Sequence, residues 1–221
     1  MAKSTPRRTQ SQRSASTKSR LLEAAFECVL ELGYAGTSTV EICRRSGVSR
    51  GAMLHQYPSK EGLVVATVEF VLARRLAEFR AAYAGLSPRA GSETGAVDLL
   101  WRIFSGPTFY VWLELIVAAR TRPTLHAATL RVAKEFSRTV REIHRDLFVS
   151  TDEDAPERQL NTKIVFAFLT GLAVDRIIPD EVEASALVEV FKARSAHPAL
   201  AAAAVTAGVN AGGPYGHQAD L

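Results

Sequence analysis

The sequence predicts an all-α protein with a small N-terminal head and a larger helical body. Apolar residues recur at spacings of three and four through most of the chain, as they do on the buried face of a helix. No stretch alternates apolar and polar residues long enough to predict a strand. Of the 221 residues, 47% are apolar, which is enough for one large domain or for a small domain joined to a larger one.

The first helix is expected at residues 17–32. Its apolar residues, among them Leu21 and Val29, fall on one face, and Gly33 is expected to end it. Residues 1–15 before it are mostly Ser, Thr, Arg, Gln and Lys with almost no apolar side chains. This composition predicts a disordered basic arm.

Residues 38–63, STVEICRRSGVSRGAMLHQYPSKEGL, predict two short helices joined by a glycine turn. Ser38 is a favourable N-cap for the first, and Glu41 three residues later can complete a capping box with it. Gly47 can adopt the positive φ that ends this helix, and Val48 can fill the turn with an apolar side chain.

The second short helix is expected to begin after Ser49, another favourable N-cap. Pro58 should end it, and Ser59 should cap a long connector helix that runs to about Ala84. Two helices joined by a short glycine turn form the unit that places its second helix in the major groove of DNA.

Turn residues divide the rest of the chain into five more helices. They are expected at 91–104, from 107, at 124–148, at 157–178 and from 179 onward. Pro107 suits a first helical position, and Asp180 with Glu183 can form a capping box. The chain becomes rich in Ala and Gly after Pro198, and residues 207–221 are expected to be disordered.

Positive charge is concentrated in the first 60 residues, although the net charge of the chain is only +4. This part holds ten Lys or Arg against four Asp or Glu, whereas the remainder holds seventeen against nineteen. A basic surface beside a helix pair favours DNA binding, because contacts with phosphates release counterions. The arm at residues 1–15 could then follow a DNA backbone or minor groove.

Other classes of function find little support in the sequence. No catalytic nucleophile motif, phosphate-binding glycine loop or zinc-protease motif occurs, so no enzyme is expected. Cys28 and Cys43 predict buried, reduced thiols, with a redox switch as the alternative. The histidines lack metal-ligand spacing, and neither a metal nor a cofactor is expected. Without a recognisable signal peptide or membrane-spanning run, the sequence favours a cytoplasmic protein.

Three segments of the head together resemble the tetracycline-repressor (TetR) family of transcriptional regulators: LGYAGTS, TVEICRRSGVSRG and HQYPSKEGL. The segment WLELIVAARTRPTL in the body is similar to one common in that family. The resemblance implies a helix-turn-helix DNA-binding domain at 16–62 and an effector-binding and dimerisation domain at 63–206. It also implies a homodimer whose last two long helices form a four-helix bundle.

The resemblance further implies which head residues meet DNA. Thr39 matches a residue that contacts a phosphate, Arg50 lies at the base-reading end of the recognition helix, and Lys60 matches a lysine that contacts the backbone. Ala52 and Leu54 depart from the family pattern, which has a threonine and a tyrosine there. The complete predicted DNA-binding set is Ser38, Thr39, Ser49, Arg50, Gly51, His55, Gln56 and Lys60.

The body is rich in aromatic residues, most of which should form ordinary core. A helical bundle of this kind can also enclose an apolar pocket with a few orienting polar groups. Candidate ligand-binding residues are Trp101, Phe104, Tyr110, Glu114, His144, Phe166 and Thr170. Phe166 and Leu172 are also candidate dimer contacts, because the run 164–174 is apolar on nearly all sides.

The sequence therefore predicts a repressor that a small-molecule effector releases from a palindromic operator. One alternative is a basic protein that coats DNA without sequence preference. A second is a helical small-molecule-binding protein or enzyme whose head is only a docking module.

Overall fold

The computed structural model describes residues 9–84, 93–147, 155–178 and 183–195. Within these ranges all regular structure is helical, in agreement with the predicted fold class. None of the described helices is both long and apolar enough to cross a membrane. The helices are α1 (Gln10–Gly36), α2 (Thr39–Ser46), α3 (Arg50–Gln56), α4 (Lys60–Ala84), α5 (Glu93–Phe104), α6 (Pro107–Ala119), α7 (Pro123–Leu147), α8 (Ala155–Asp175) and α9 (Ala184–Ser195).

Helix α1 begins earlier than the sequence pattern predicted. The Thr9 hydroxyl accepts a hydrogen bond from the backbone N–H of Gln12, and the Gln12 side chain accepts one from the Thr9 N–H. This capping box satisfies donors that a helix start leaves free. Residues 10–15, expected to lie in a disordered arm, therefore belong to α1.

The head has a small core to which each of its helices contributes. Leu21 and Cys28 on α1, Ile42 on α2, Met53 on α3 and Leu63 at the start of α4 are all buried there. Burial raises the pKa of the Cys28 thiol, so this thiol stays protonated and acts as a small apolar side chain. The buried-thiol prediction is confirmed for this residue, whereas Cys43 is only partly buried.

Two compact units make up the chain. The first combines Met1–Gly85 with Arg102–Leu147 and so joins the head to α4, α6 and α7. Helix α4 packs on α7, α6 and α1. The second combines Leu86–Trp101 with Phe148–Leu221 and holds most of α5 together with α8 and α9.

In the second unit, Leu169 and Val188 are buried and the rings of Phe168 and Phe191 stack with centroids 4.1 Å apart. Helix α9 begins only at Ala184, after its predicted start. The predicted capping box of Asp180 with Glu183 lies partly outside the described residues.

Candidate nucleic-acid interface

Helices α2 and α3 form the predicted pair, with the predicted caps in place. The hydroxyl of Ser38 accepts a hydrogen bond from the Glu41 N–H at 3.2 Å, and that of Ser49 accepts one from the Ala52 N–H at 3.2 Å. Gly47 has φ 60°, and Val48 is buried beneath the turn. The turn between the two helices is thus fixed from both sides.

Helix α3 buries one side and exposes the other. Met53 reaches the head core, while Arg50, Gly51, Leu54 and His55 are exposed. Leu54 keeps 42% of its surface in solvent, although it is a large apolar residue. The outer face of α3 therefore combines a cation, a small residue, an apolar side chain and an imidazole, all of them groups that can meet base edges or a thymine methyl.

Glu41 differs from its predicted role, because its carboxylate turns to two arginines instead of completing a capping box. The Glu41 oxygens accept hydrogen bonds from Arg44 Nη2 at 2.6 Å and from Arg45 Nε at 2.8 Å. Arg45 also pairs with Glu31 at 2.7 Å. Hydrogen bonds from the arginines lower the pKa of Glu41 to about 2 and raise the pKa of both arginines.

Arg50 is in a different position from these two arginines. It is exposed at the first turn of α3, and no acidic side chain of a described residue pairs with it.

The predicted phosphate contacts lie at the starts of α2 and α4. Thr39, at the first position of α2, is partly buried, and Ser38 before it is exposed. Lys60 is exposed at the start of α4, with its Nζ 5.3 Å from the centroid of the Tyr34 ring.

The last two predicted DNA contacts differ from each other. His55 is exposed on α3. Gln56 is partly buried, and its side-chain oxygen accepts a hydrogen bond from the Ser14 hydroxyl at 3.1 Å. Gln56 thus ties α3 to the first turns of α1, a contact that depends on the early start of that helix.

The ligand candidates of the body are distributed over both units. Phe104 and Tyr110 both contact the ring of Phe109, with centroids 4.9 and 6.1 Å away, respectively. Trp101, Phe166 and Thr170 belong to the second unit, where the Trp101 ring lies 5.6 Å from the Arg176 guanidinium carbon. His144 lies on α7, but its side chain is outside the described part of the structure.

Glu114 makes a hydrogen bond to the head that the sequence did not predict. It is exposed on α6, and its carboxylate accepts a hydrogen bond from the Tyr34 N–H at 3.0 Å. Tyr34 follows Gly33, whose φ of 68° and ψ of 172° kink α1 there. The Arg122 guanidinium lies over the Tyr34 ring at 4.6 Å. The end of α1 is therefore held by residues of α6 and by the residue just before α7.

Sequence reasoning missed Arg75, which is buried on α4 among aromatic rings. A signal was present, because Arg75 follows Val71 by four residues and precedes Phe79 by four. This spacing places the arginine on the apolar face of the helix. In the described ranges, no group of three His, Cys, Asp or Glu side chains is arranged to hold a metal ion.

Comparisons with known proteins agree with this geometry. Residues 21–67 match the profile of bacterial regulatory proteins of the tetR family. The HTH-type transcriptional regulator CymR of Pseudomonas putida is 31% identical over 168 residues, which cover 76% of this chain and 83% of CymR. An uncharacterised HTH-type transcriptional regulator of Mycobacterium bovis is 34% identical over 140 residues, covering 63% and 72% of the two chains.

A solved structure shows the same fold. The multidrug binding protein EbrR, solved with imidazole, superposes with a TM-score of 0.57 at 23% identity, covering 80% of this chain and 93% of EbrR. The predicted resemblance is thus confirmed at the level of both sequence and fold. The chain belongs to the TetR family of bacterial regulatory proteins and is a DNA-binding regulator of transcription.

Proposed function

We propose that this regulator binds a palindromic operator as a homodimer and represses transcription until a small effector enters the body. The observation that carries the proposal is the outer face of α3, where Arg50 is exposed and unpaired by any described acid. Its guanidinium is free to donate two hydrogen bonds to O6 and N7 of a guanine. Since the target is bacterial chromosomal DNA, we place its action in the cytoplasm.

Contacts with phosphates would come from residues on both sides of α3. Thr39 and Ser38 lie at the N-terminus of α2, where backbone N–H groups and the helix dipole attract an anion. Lys60 lies at the N-terminus of α4, where a cation opposes the helix dipole, and its exposed ammonium contacts only the Tyr34 ring among the described residues. A phosphate contact therefore accounts better for Lys60 than a stabilising role within α4.

An exposed face of α8 supports the homodimer. Ile164, Ala167, Gly171 and Val174 are all exposed there and recur at spacings of three and four, so they form one line along the helix. We call this line the α8 stripe. Leu172, expected to contact a partner, is buried within the chain itself. The stripe thus replaces Leu172 as the surface for the proposed four-helix bundle.

Release by an effector requires a link between body and head within one chain. The hydrogen bond from Tyr34 to Glu114 provides one, because it joins α6 to the end of α1. An effector shifts the equilibrium only if it binds one head position more tightly than the other. EbrR, which shares this fold, binds imidazole; the effector here is proposed to be another small molecule.

Footprinting of the purified protein on its own upstream DNA tests the proposal. We expect protection of a palindrome whose half-sites lie about one helical turn apart or slightly more. Equal affinity for the upstream region and for random DNA would contradict the proposal and favour a non-specific coating protein. Absence of any DNA binding would favour the docking-module alternative.

Two single substitutions separate base reading from backbone contact. Arg50→Ala should cost about 1–3 kcal/mol at one base pair of each half-site and should relax preference there. Lys60→Ala should weaken binding to operator and random DNA alike and make the salt dependence less steep. Arg44→Ala, which removes an exposed arginine already paired with Glu41, is the matched control. If both test variants lose affinity equally for every sequence, the assignment of Arg50 to base reading is wrong.

A further inference from the structure

The body contains a buried arginine enclosed by aromatic rings. Arg75 on α4 keeps only 5% of its surface exposed. Its guanidinium carbon lies 4.3 Å from the ring centroid of Phe136, 5.2 Å from that of Trp112, 5.8 Å from that of Phe109 and 6.0 Å from that of Phe104. All these residues belong to the first unit of the chain. Ring faces attract a cation but do not accept in-plane hydrogen bonds as an oxygen does.

One nitrogen of the guanidinium lacks a hydrogen-bond partner among the described residues. This nitrogen, Arg75 Nε, is buried. Glu78, one turn further along α4, acts on Arg75 only at a distance, and its carboxylate accepts a hydrogen bond from the Thr108 hydroxyl. Burial lowers the pKa of Arg75 to about 10, so the side chain stays charged at neutral pH. A buried donor on a charged group without a partner is costly for the fold.

We propose that Arg75 binds the carboxylate of the effector, and that the effector is a monocarboxylate with an aromatic or aliphatic body. This inference rests on the proposed function, because it names the chemical class of the ligand that releases the operator. Arg75 Nε and a terminal nitrogen can donate in parallel to the two oxygens of a carboxylate. The four rings supply the apolar contacts that the rest of such a ligand needs.

The surroundings of Arg75 favour a carboxylate over a more highly charged anion. Arg75 is the only charged residue among the buried ones described, so a dianion such as a phosphate monoester would keep an uncompensated charge. The negative charge of Glu78 nearby adds to that penalty. Trp112 is only partly buried, whereas Phe104, Phe109 and Phe136 are buried. The ligand is therefore expected to enter on the Trp112 side.

Helix α6 connects this cluster to the head. Phe109 and Trp112 face Arg75, and Glu114 on the same helix accepts the hydrogen bond from Tyr34. A ligand that displaces Trp112 would move α6 close to its contact with the head. Occupation of the Arg75 cluster can thus change the position of the head, as effector release requires.

Calorimetry on the full chain tests the inference with two matched pairs of probes, naphthoate with naphthamide and octanoate with octanamide. Each pair shares its apolar body and differs in charge. We expect the wild type to bind at least one carboxylate about 30-fold or more tightly than its amide. Arg75→Met should abolish this preference, and Arg75→Lys should restore part of it. Arg80→Met, an exposed arginine on the same helix, should leave it unchanged.

Thermal unfolding without probe separates ligand recognition from a structural role. Arg75→Met should leave the Tm of the free protein equal or higher, because it removes a buried charge whose Nε has no hydrogen-bond partner among the described residues. A large fall in Tm in both the Met and Lys variants would show that the guanidinium holds the fold, and would overturn the inference. So would equal binding of carboxylate and amide, or binding of neither, by the wild type.

The two proposals can fail separately. Operator footprints of wild type and Arg75→Met should be the same without probe, and the carboxylate should remove only that of the wild type. A wild type that protects no palindrome refutes the proposed function, whereas its carboxylate preference is still measured by calorimetry. A protected palindrome without any carboxylate preference refutes only the inference.

Discussion

Ion pairs within the head engage two arginines of α2, whereas the arginine of α3 is exposed. Arg44 and Arg45 share the carboxylate of Glu41, and Arg45 also holds Glu31. Arg50 has no such partner among the described residues and lies exposed at the start of α3. A count of basic residues in the head therefore overstates the charge that α2 offers to a phosphate. Sequence reasoning did not predict this pairing.

Glu41→Gln tests the value of these pairs for folding. The pKa of Glu41 is normally 4.5 and falls to about 2 in the folded chain. A carboxylate whose pKa is lower in the folded state stabilises the fold fully at any pH above its unfolded-state pKa. This stabilisation is lost as the pH falls through the folded-state pKa. Wild type should therefore be more stable than Glu41→Gln at neutral pH, and the difference should shrink between pH 4.5 and about 2.

Urea denaturation at a series of pH values measures this difference. Glu27→Gln, which removes an exposed carboxylate of α1 outside the ion-pair network, is the control for a general change in charge. A constant gap between wild type and Glu41→Gln across the acid range would show that the arginines do not hold the carboxylate in the folded state.

Three helix starts and one helix end were predicted from a single side chain or a glycine. Ser38, Ser49 and Ser59 accept the expected backbone hydrogen bonds, and Gly47 takes the expected positive φ. These contacts join residues within a few positions of each other, so they can be predicted from the sequence. The early start of α1 is also set by local side chains, because Thr9 and Gln12 form a capping box. It was not predicted, because the polar composition of residues 1–15 favoured disorder.

Contacts between distant helices were not predictable in the same way. The pairing of Ser14 with Gln56 and that of Tyr34 with Glu114 join residues far apart in the chain. Each depends on how α1 packs against another helix, which periodicity within one helix does not contain. For Arg75, the sequence contained half of the answer. Its place on the buried face of α4 follows from helical spacing, whereas the aromatic residues around it come mostly from other helices and could not be predicted.

The kink in α1 gives a prediction at the level of one element. Gly33 has φ 68° and ψ 172°, a region that residues with a side chain avoid. A Cβ there would also lie 3.2 Å from Glu114 Oε2. Gly33→Ala should therefore destabilise the chain by about 1–3 kcal/mol. It should also disturb the contact of α1 with α6 and thus the response of the operator complex to an effector.

Urea denaturation compares this variant with Gly51→Ala. Gly51 lies in α3 without positive φ, and an added Cβ would meet no atom within 4 Å. This control should keep or slightly raise the free energy of unfolding, because alanine favours a helix by about 0.5–1 kcal/mol. If both alanine variants are as stable as wild type, α1 does not depend on the kink at Gly33.

At the scale of the whole molecule, the contacts divide the chain differently from the sequence. The sequence separates a head at 16–62 from a body at 63–206, because composition and motifs change there. The contacts instead place the head with α4, α6 and α7, and place α8 and α9 in the other unit. The helices proposed to read DNA and the residues that surround Arg75 thus share one unit. The helices proposed to form the dimer belong to the other.

Gly171→Arg tests the proposed dimer through the α8 stripe. An added Cβ at Gly171 meets no atom of the described chain within 4 Å, so one chain can accommodate the longer side chain. Against the α8 of a second copy, the arginine would bury a charge and hold the two helices apart. We expect a folded monomer by sedimentation, with operator binding reduced and strongly dependent on protein concentration. Val117→Arg, at a residue of α6 that is 61% exposed, adds the same charge outside the stripe and should remain a dimer. A Gly171→Arg protein that stays dimeric with unchanged operator affinity would place the dimer contact elsewhere.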